Sequence, residues 1–130
     1  MYDNNTRLPI WRDSNLLLLS IEQAVRSFPR YHKYTLGTDL RKQAMLIVRY
    51  LARAVSSKNK LRLRCVYKLQ SLIDEIKVMI NLAKELQAFK NFKQFQQLAE
   101  LSVAIGKQNG AWLNKLSSFK QRPESNNNVN

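Results

Sequence analysis

Side chains that suit a protein core recur every three or four positions along four stretches of the chain, the spacing that places them on one side of an α-helix. In the first stretch Pro9 can occupy the first helical turn, where its missing N–H costs nothing, and Pro29 ends the pattern. The pattern therefore predicts a first helix from Pro9 to about Phe28. Its predicted core positions are Trp11, Ser14, Leu18, Ile21, Val25 and Phe28.

A second helix is predicted after a connection over residues 31–37. Thr38 followed by Asp39 is typical of an N-cap residue with an acid in the first turn, which the free amides and the helix dipole favour. We expect this helix to run from Thr38 to about Ser57. Its predicted core positions are Leu40, Ala44, Ile47, Leu51 and Val55.

Two further helices follow polar breaks at residues 56–59 and at Asn91. The spacing alternates between three and four in both, as in coiled coils. The third predicted stripe is Cys65, Leu69, Leu72, Ile76, Met79, Ala83 and Leu86. The fourth is Phe95, Leu98, Ser102, Ile105, Asn109, Trp112, Leu116 and Phe119.

Four helices of about 20 to 30 residues with short connections predict an all-α, antiparallel up-down four-helix bundle. Three Gly and three Pro are too few for the many turns of a β-sandwich or barrel. We expect a polar N-terminal segment over residues 1–7 and the bundle over residues 8–119. A disordered polar tail is expected over residues 120–130, since this segment holds Pro123 and several Asn and lacks apolar anchors.

Charge is the unusual property of the chain. Twenty-two Lys and Arg against nine Asp and Glu give a net charge of +13. Between Arg26 and Lys68 there are twelve cations and a single acid, Asp39, so this window carries +11 of the total. A localised excess of this size indicates a polyanionic partner, with nucleic acid first and an anionic membrane second.

The second predicted helix separates cations from core. Lys42, Arg49 and Arg53 fall within a narrow stripe opposite the apolar side, and a merely solubilising face normally mixes both signs of charge. We therefore predict that the cations of the window bind nucleic acid. They are Arg26, Arg30, Lys33, Arg41, Lys42, Arg49, Arg53, Lys58, Lys60, Arg62, Arg64 and Lys68.

Four tyrosines are interspersed with these cations, at positions 31, 34, 50 and 67. Tyrosines can stack on unpaired bases, but those at helix edges more often pack against the core with a solvated hydroxyl. We interpret them as packing residues.

Two apolar runs exceed what one face of a helix can bury. Residues 16–19 are four leucines and residues 45–48 are four apolar residues, and each run sweeps about 300° around its helix. At least one member of each run must point away from the core, which predicts self-association or docking to a partner protein. The candidate interface residues are Leu16, Leu19, Met45 and Leu46.

Residues for catalysis or metal binding are scarce. One Cys and one His cannot supply a structural zinc site, Cys65 falls at a core position, and the glycines fit no phosphate-binding loop. We expect no enzymatic activity, no metal and no cofactor. The longest stretch without charge has eight residues, too few to cross a bilayer, and no secretory signal begins the chain, so we expect a cytoplasmic protein.

The run SFPRYHKYTLGTDLR at residues 27–41, with LPIW at residues 8–11, resembles the accessory variability determinant (Avd) proteins of diversity-generating retroelements. Four-helix proteins associated with intervening sequences of 23S ribosomal RNA genes share a looser version. The resemblance places Arg30, Lys33 and Arg41 at basic positions of the family motif. It places Pro29, Leu36 and Gly37 in its turn.

The resemblance implies a basic, non-catalytic protein that assembles into a homopentameric barrel of four-helix protomers. It also implies binding to the retroelement's reverse transcriptase and its structured template RNA, in support of mutagenic cDNA synthesis. From the residues alone DNA is an equal ligand, and two other functions stay open: a stand-alone bundle associated with ribosomal RNA, and a helical adaptor on an anionic membrane. Of these partners we expect the reverse transcriptase, nucleic acid and further copies of the chain, and no membrane.

Overall fold

Helices make up nearly all of the described chain. The structure, a computed structural model, describes the backbone of residues 8–129 and the side chains of residues 8–118, so the predicted polar segment 1–7 lies outside it. Residues 8–129 contain no strand, which confirms the all-α prediction. The helices are α1 (Pro9–Arg26), α2 (Arg30–Lys33), α3 (Leu36–Ser56), α4 (Asn59–Glu85) and α5 (Phe92–Val129).

Local chemistry sets several helix ends. Pro9 opens α1 after an extended Leu8, as its fixed φ and missing N–H favour. Asn91 precedes α5, and its Oδ1 accepts the backbone N–H of Gln94 at 2.9 Å in the manner of an N-cap residue. α4 ends in a Schellman motif, in which Gln87 donates its N–H to the Lys84 carbonyl and the next residue bonds back to Ala83.

The start of α3 differs from the prediction. The helix begins at Leu36, so Thr38 lies inside its first turn and is not the N-cap. Gly37 explains why. A Cβ at Gly37 would lie 2.7 Å from Val25 Cγ1, so the missing side chain lets α3 begin directly against α1. The connection also holds the one-turn helix α2, whose last carbonyls accept the Thr35 hydroxyl at 3.2 and 3.4 Å.

The four long helices form an antiparallel bundle in which α1 packs on α3 and α5, and α4 packs on the same two helices. Cross-helix contacts show the opposed directions. Gln108 near the middle of α5 donates to Asp13 early in α1 at 2.8 Å, whereas Lys84 at the end of α4 lies over Phe95 at the start of α5. The largest fully buried side chains are Leu17, Ile21, Leu40, Ile47, Leu51, Val66, Leu69, Ile73, Ile76, Ile80, Leu98 and Ile105.

Of the predicted core positions whose side chains are described, Leu86 alone is exposed, because α4 ends at Glu85 and leaves Leu86 at the C-cap. Seven others are only half-buried at the edge of the core: Trp11, Leu18, Val55, Met79, Phe95, Trp112 and Leu116. The side chain of Phe119 lies outside the described part. Cys65 is buried as predicted, and the polar core positions Ser14, Ser102 and Asn109 are buried too.

The fourth predicted helix was expected to end near Phe119. In the structure the backbone of α5 continues to Val129, through most of the segment predicted as a polar tail. The side chains of residues 119–130 lie outside the described part. The expectation of a disordered polar tail over residues 120–130 stays a prediction.

Candidate nucleic-acid interface

The cations predicted to bind nucleic acid are nearly all accessible. Ten of the twelve side chains are exposed, and Lys33 and Arg62 are half-buried. They do not form one patch. Seven lie on the outer face of α3 and α4, three lie around α2, and Arg41 and Arg62 make contacts within the bundle.

The larger group lies on the outer face shared by α3 and α4. The two helices run antiparallel, with Gln43 bonded to the Leu72 carbonyl and Arg62 bonded to Ala54, so residues whose numbers sum to about 116 lie side by side. This register puts Arg53 beside Arg64 and Arg49 beside Lys68. We call this group the basic face. Its members are Lys42, Arg49, Arg53, Lys58, Lys60, Arg64 and Lys68.

Within residues 8–118, no member of the basic face takes part in an ion pair shorter than 4.0 Å. The ion pairs of that part of the chain join Arg12 to Asp13, Arg41 to Glu22, Lys77 to Asp74 and Lys84 to Glu85. The same register places one exposed acid, Glu75, beside Lys42, whereas residues 43–73 contain no acid. Cations held together in this way raise the local positive potential and attract a polyanion. The geometry suits a phosphate backbone.

Arg41 and Arg62 have other contacts. Arg41 Nε lies 2.7 Å from Glu22 Oε1, which joins α3 to α1. Arg62 donates through Nε to the Ala54 carbonyl at 3.1 Å and through Nη2 to the Val55 carbonyl at 2.9 Å, so it satisfies the last turn of α3. Sequence reasoning could not separate these two from the other cations because their partners come from distant positions.

Arg26, Arg30 and Lys33 lie around α2, at the end of the bundle where α3 begins. The His32 and Tyr31 rings lie beside them in an edge-to-face pair with centroids 5.1 Å apart. The basic positions of the family motif at residues 30 and 33 thus lie away from the basic face.

The tyrosine interpretation was wrong for three residues. Tyr31, Tyr34 and Tyr67 are exposed, and Tyr67, at 69% exposure, lies on the outer side of α4 next to the basic face. Tyr50 packs against the core as expected, and the Arg53 guanidinium carbon lies 5.0 Å from its ring centroid. The exposure of Tyr67 could have been predicted from the sequence, because this residue lies on the side of its helix opposite Cys65 and Leu69.

The four candidate interface residues occupy two surfaces. Leu16 and Leu19 are exposed on α1, Leu19 at 65%. Met45 is exposed and Leu46 half-buried, and both line a groove on α3 beside Lys42 and Arg49. The prediction that each apolar run leaves a residue outside the core of the single chain is confirmed, but the second pair lies within the basic face.

Sequence reasoning missed an apolar surface on the second half of α4. Val78, Leu82 and Leu86 are each more than half exposed, and their spacing of four residues places them along one side of the helix. Exposed acids border them. We call the group the α4 strip: Asp74, Glu75, Val78, Leu82, Glu85 and Leu86. The signal was a second apolar repeat, offset from the core stripe.

No cluster of three or more His, Cys, Asp or Glu side chains suited to a metal occurs in the described part of the chain. Among the described helices, none has the length together with the apolar character that a bilayer crossing requires.

Comparison with known families assigns the chain. The family model described as bAvd-like matches residues 14–116, which include part of α1, all of α3 and α4, part of α5 and the whole basic face. The chain belongs to the bAvd-like family. This confirms the resemblance to Avd proteins seen in residues 27–41, and the Avd-like family is one of accessory, generally non-catalytic proteins. No curated protein matches the chain.

Proposed function

We propose that this bAvd-like protein is a non-catalytic accessory subunit that binds nucleic acid through its basic face. Its partners are a retroelement reverse transcriptase and the structured template RNA, and its role is to support mutagenic cDNA synthesis. The observation that carries the binding proposal is the group of seven cations without ion-pair partners in residues 8–118. The proposal of a polymerase partner rests on the resemblance to Avd proteins.

The physical basis of binding is release of counterions from the phosphate backbone. Each cation of the basic face that contacts a phosphate contributes to affinity without reading sequence. A helical surface of Lys and Arg offers little discrimination between bases. The choice of template would therefore come from RNA structure and from the polymerase.

Self-association is the second part of the proposal. Leu16 and Leu19 lie between Arg12 and Arg26 on the outer side of α1, and we call these four residues the α1 strip. Its cations are about 21 Å apart along the helix, and the acids that border the α4 strip span about 16 Å. The α1 strip of one copy therefore complements the α4 strip of another in apolar surface. For the charges to pair between copies, Asp74, Glu85 and Arg12 must share or exchange their partners Lys77, Lys84 and Asp13 in the same chain.

A contact between two different surfaces of identical chains is heterologous, and repetition of it forms a ring when the rotation closes. The family resemblance implies five subunits. Such a ring would repeat the basic face around its axis and produce a large positive surface for a folded RNA.

Reconstituted cDNA synthesis tests the function. The reaction would contain the reverse transcriptase encoded beside this chain, its template RNA, and either wild-type protein or a variant in which Arg49, Arg53, Arg64 and Lys68 are replaced by Ala. We expect template-dependent cDNA to need the wild-type protein and to fall sharply with the variant. Equal cDNA yield with and without the protein would contradict the proposed role.

The matched control replaces four exposed cations away from the basic face, Lys90, Lys93, Lys107 and Lys115, by Ala. It removes the same net charge. We expect near wild-type cDNA yield from it. If the protein instead acts alone on ribosomal RNA, it should bind RNA but have no effect on cDNA synthesis. No reverse-transcriptase gene should then lie beside its own gene.

A further inference from the structure

A cavity of about 600 Å³ opens at the end of the bundle where α1 begins and α3 ends. Its walls come from residues 8–10, Val55, Arg62, Gln108 and Trp112. Most of this lining is apolar, with only a few polar groups. Small-ligand sites in proteins have this size and this composition.

Trp112 supplies an aromatic wall. Its side chain is half-buried and packs against both apolar clusters of the bundle, so the indole has a fixed place. An aromatic surface held in this way can stack on a planar ligand, and stacking on a nucleobase contributes about 1 to 3 kcal/mol.

Arg62 supplies a fixed guanidinium. Its two hydrogen bonds to the carbonyls of Ala54 and Val55 hold the group at the cavity wall and use two of its five N–H donors. No other acceptor for this guanidinium occurs among residues 8–118. The donors that are left suit a phosphate oxygen or a carbonyl of the ligand.

Gln108 is the polar side chain that lines the cavity from α5. Its Nε2 donates to Asp13 Oδ2 at 2.8 Å, which fixes the side chain, and its Oε1 is buried and meets no donor in residues 8–118. The fixed amide limits the space that a planar ligand can occupy.

The cavity lies at one end of the basic face. Its lining includes Val55 at the end of α3 and Arg62 in the first turn of α4, so it opens at the same end of the bundle as Lys58 and Lys60. A single strand whose phosphates follow the basic face to these two lysines would reach this end of the bundle with its last nucleotide.

We propose that this cavity binds one unpaired nucleobase of the nucleic acid that lies on the basic face. The base stacks on Trp112, and Arg62 contacts the attached phosphate. The proposal rests on the proposed nucleic-acid binding and adds a contact to a base, which a basic helical surface does not provide.

Two single-stranded DNA oligonucleotides of equal length and charge test it, one of deoxyadenosines and one composed only of abasic tetrahydrofuran nucleotides. Fluorescence anisotropy gives the dissociation constant of each. We expect wild type to bind the base-bearing strand about tenfold more tightly, which corresponds to one stacked base. Trp112→Leu should remove the preference for the base-bearing strand that this stacked base supplies, and it should keep the salt dependence of binding. Trp112→Phe should retain most of that preference.

Trp11→Phe is the matched control, since it changes the other tryptophan, which does not line the cavity. It should keep the wild-type preference. In this background the emission of Trp112 should fall when the base-bearing strand binds and stay constant with the abasic strand, a readout that needs no change in the site.

Equal affinity for the two strands would overturn the base proposal, as would an unchanged preference in Trp112→Leu or an unchanged Trp112 emission. Quenching by an acidic aromatic peptide but not by the base-bearing strand would also overturn it. These results differ from failure of the proposed function, in which neither strand binds with a dependence on salt.

Discussion

Two residues of the described chain adopt left-handed backbone without being glycine, Asn59 (φ 57°) and Gln87 (φ 58°). Asn tolerates this conformation, because its short side chain can bond locally, whereas Gln has no such advantage. Gln87 is exposed and occupies the position of the Schellman motif where glycine is most common. The end of α4 therefore contains a strain of about 1 kcal/mol.

The strain at Gln87 predicts that substitution by glycine increases the free energy of unfolding at this position and decreases it at an ordinary helical position. Gln87→Gly should increase the free energy of unfolding by about 1 kcal/mol, because glycine adopts this backbone without a steric cost. Gln96→Gly, at an exposed interior position of α5, should decrease it by about 1 kcal/mol. Urea unfolding at equal protein concentration measures both. A loss of stability in both variants would contradict the assigned α4 terminus.

The close packing of α3 on α1 at Gly37 predicts that a larger residue at this position lowers stability. Gly37→Ala should destabilise the bundle by about 1 to 3 kcal/mol, because the new Cβ would lie 2.7 Å from Val25 Cγ1 and 3.3 Å from the His32 carbonyl oxygen.

Gly110→Ala is the control for Gly37→Ala. Its added methyl group would have its nearest neighbour 3.8 Å away, so the higher helix propensity of Ala should leave stability unchanged or raise it by up to about 1 kcal/mol. The two variants are compared by their urea midpoints. Equal effects at the two glycines would show that α3 does not pack on α1 as described.

Spacing along the sequence identified most core residues, since periodicity depends only on neighbours in the chain. It could not reveal that Gly37 packs on Val25, that Arg62 satisfies the end of α3 or that Arg41 pairs with Glu22. Each of these depends on a partner brought near by tertiary structure. Thr38 was misplaced for the same reason, because local N-cap chemistry gave way to the contact at Gly37.

At the scale of elements, α4 has two different outer surfaces. Its first half presents cations of the basic face, and its second half presents the apolar and acidic α4 strip. The sequence predicted the helix and its buried side. The outer apolar repeat at residues 78, 82 and 86 was present in the sequence. It was not recognised as a separate surface, because Leu86 was assigned to the predicted core stripe.

The complementarity of the two strips predicts the behaviour of two interface variants. Leu19→Asp in the α1 strip and Leu82→Asp in the α4 strip place a carboxylate where an apolar contact is expected, and each should reduce the assembly to monomers. Both side chains are exposed, so each variant should remain folded. Native mass spectrometry and circular dichroism measure these outcomes.

Mixing the two monomeric variants tests the heterologous geometry. The Leu19→Asp variant keeps an intact α4 strip, and the Leu82→Asp variant keeps an intact α1 strip. The mixture should therefore form dimers with one interface and no larger ring. Leu61→Asp changes an exposed leucine outside both strips and should leave the assembly intact. Dimers from one variant alone, or none from the mixture, would contradict the pairing of α1 with α4.

At the scale of the whole molecule, the positive charge is asymmetric. The sequence located the excess between residues 26 and 68, but folding divides it among the basic face, the group around α2 and two cations with structural partners. The bAvd-like match places this arrangement in an accessory family. The basic face is therefore the surface on which the proposed function depends most directly.

The salt dependence of RNA affinity measures that surface most directly. In a salt titration, replacement of Arg49, Arg53, Arg64 and Lys68 by Ala should reduce the log–log slope by about 3, since each phosphate contact contributes about 0.7 to 0.9. Replacement of Lys90, Lys93, Lys107 and Lys115 removes the same net charge and should leave the slope close to that of wild type. If the two variants change the slope equally, or neither changes it, binding does not occur through the basic face.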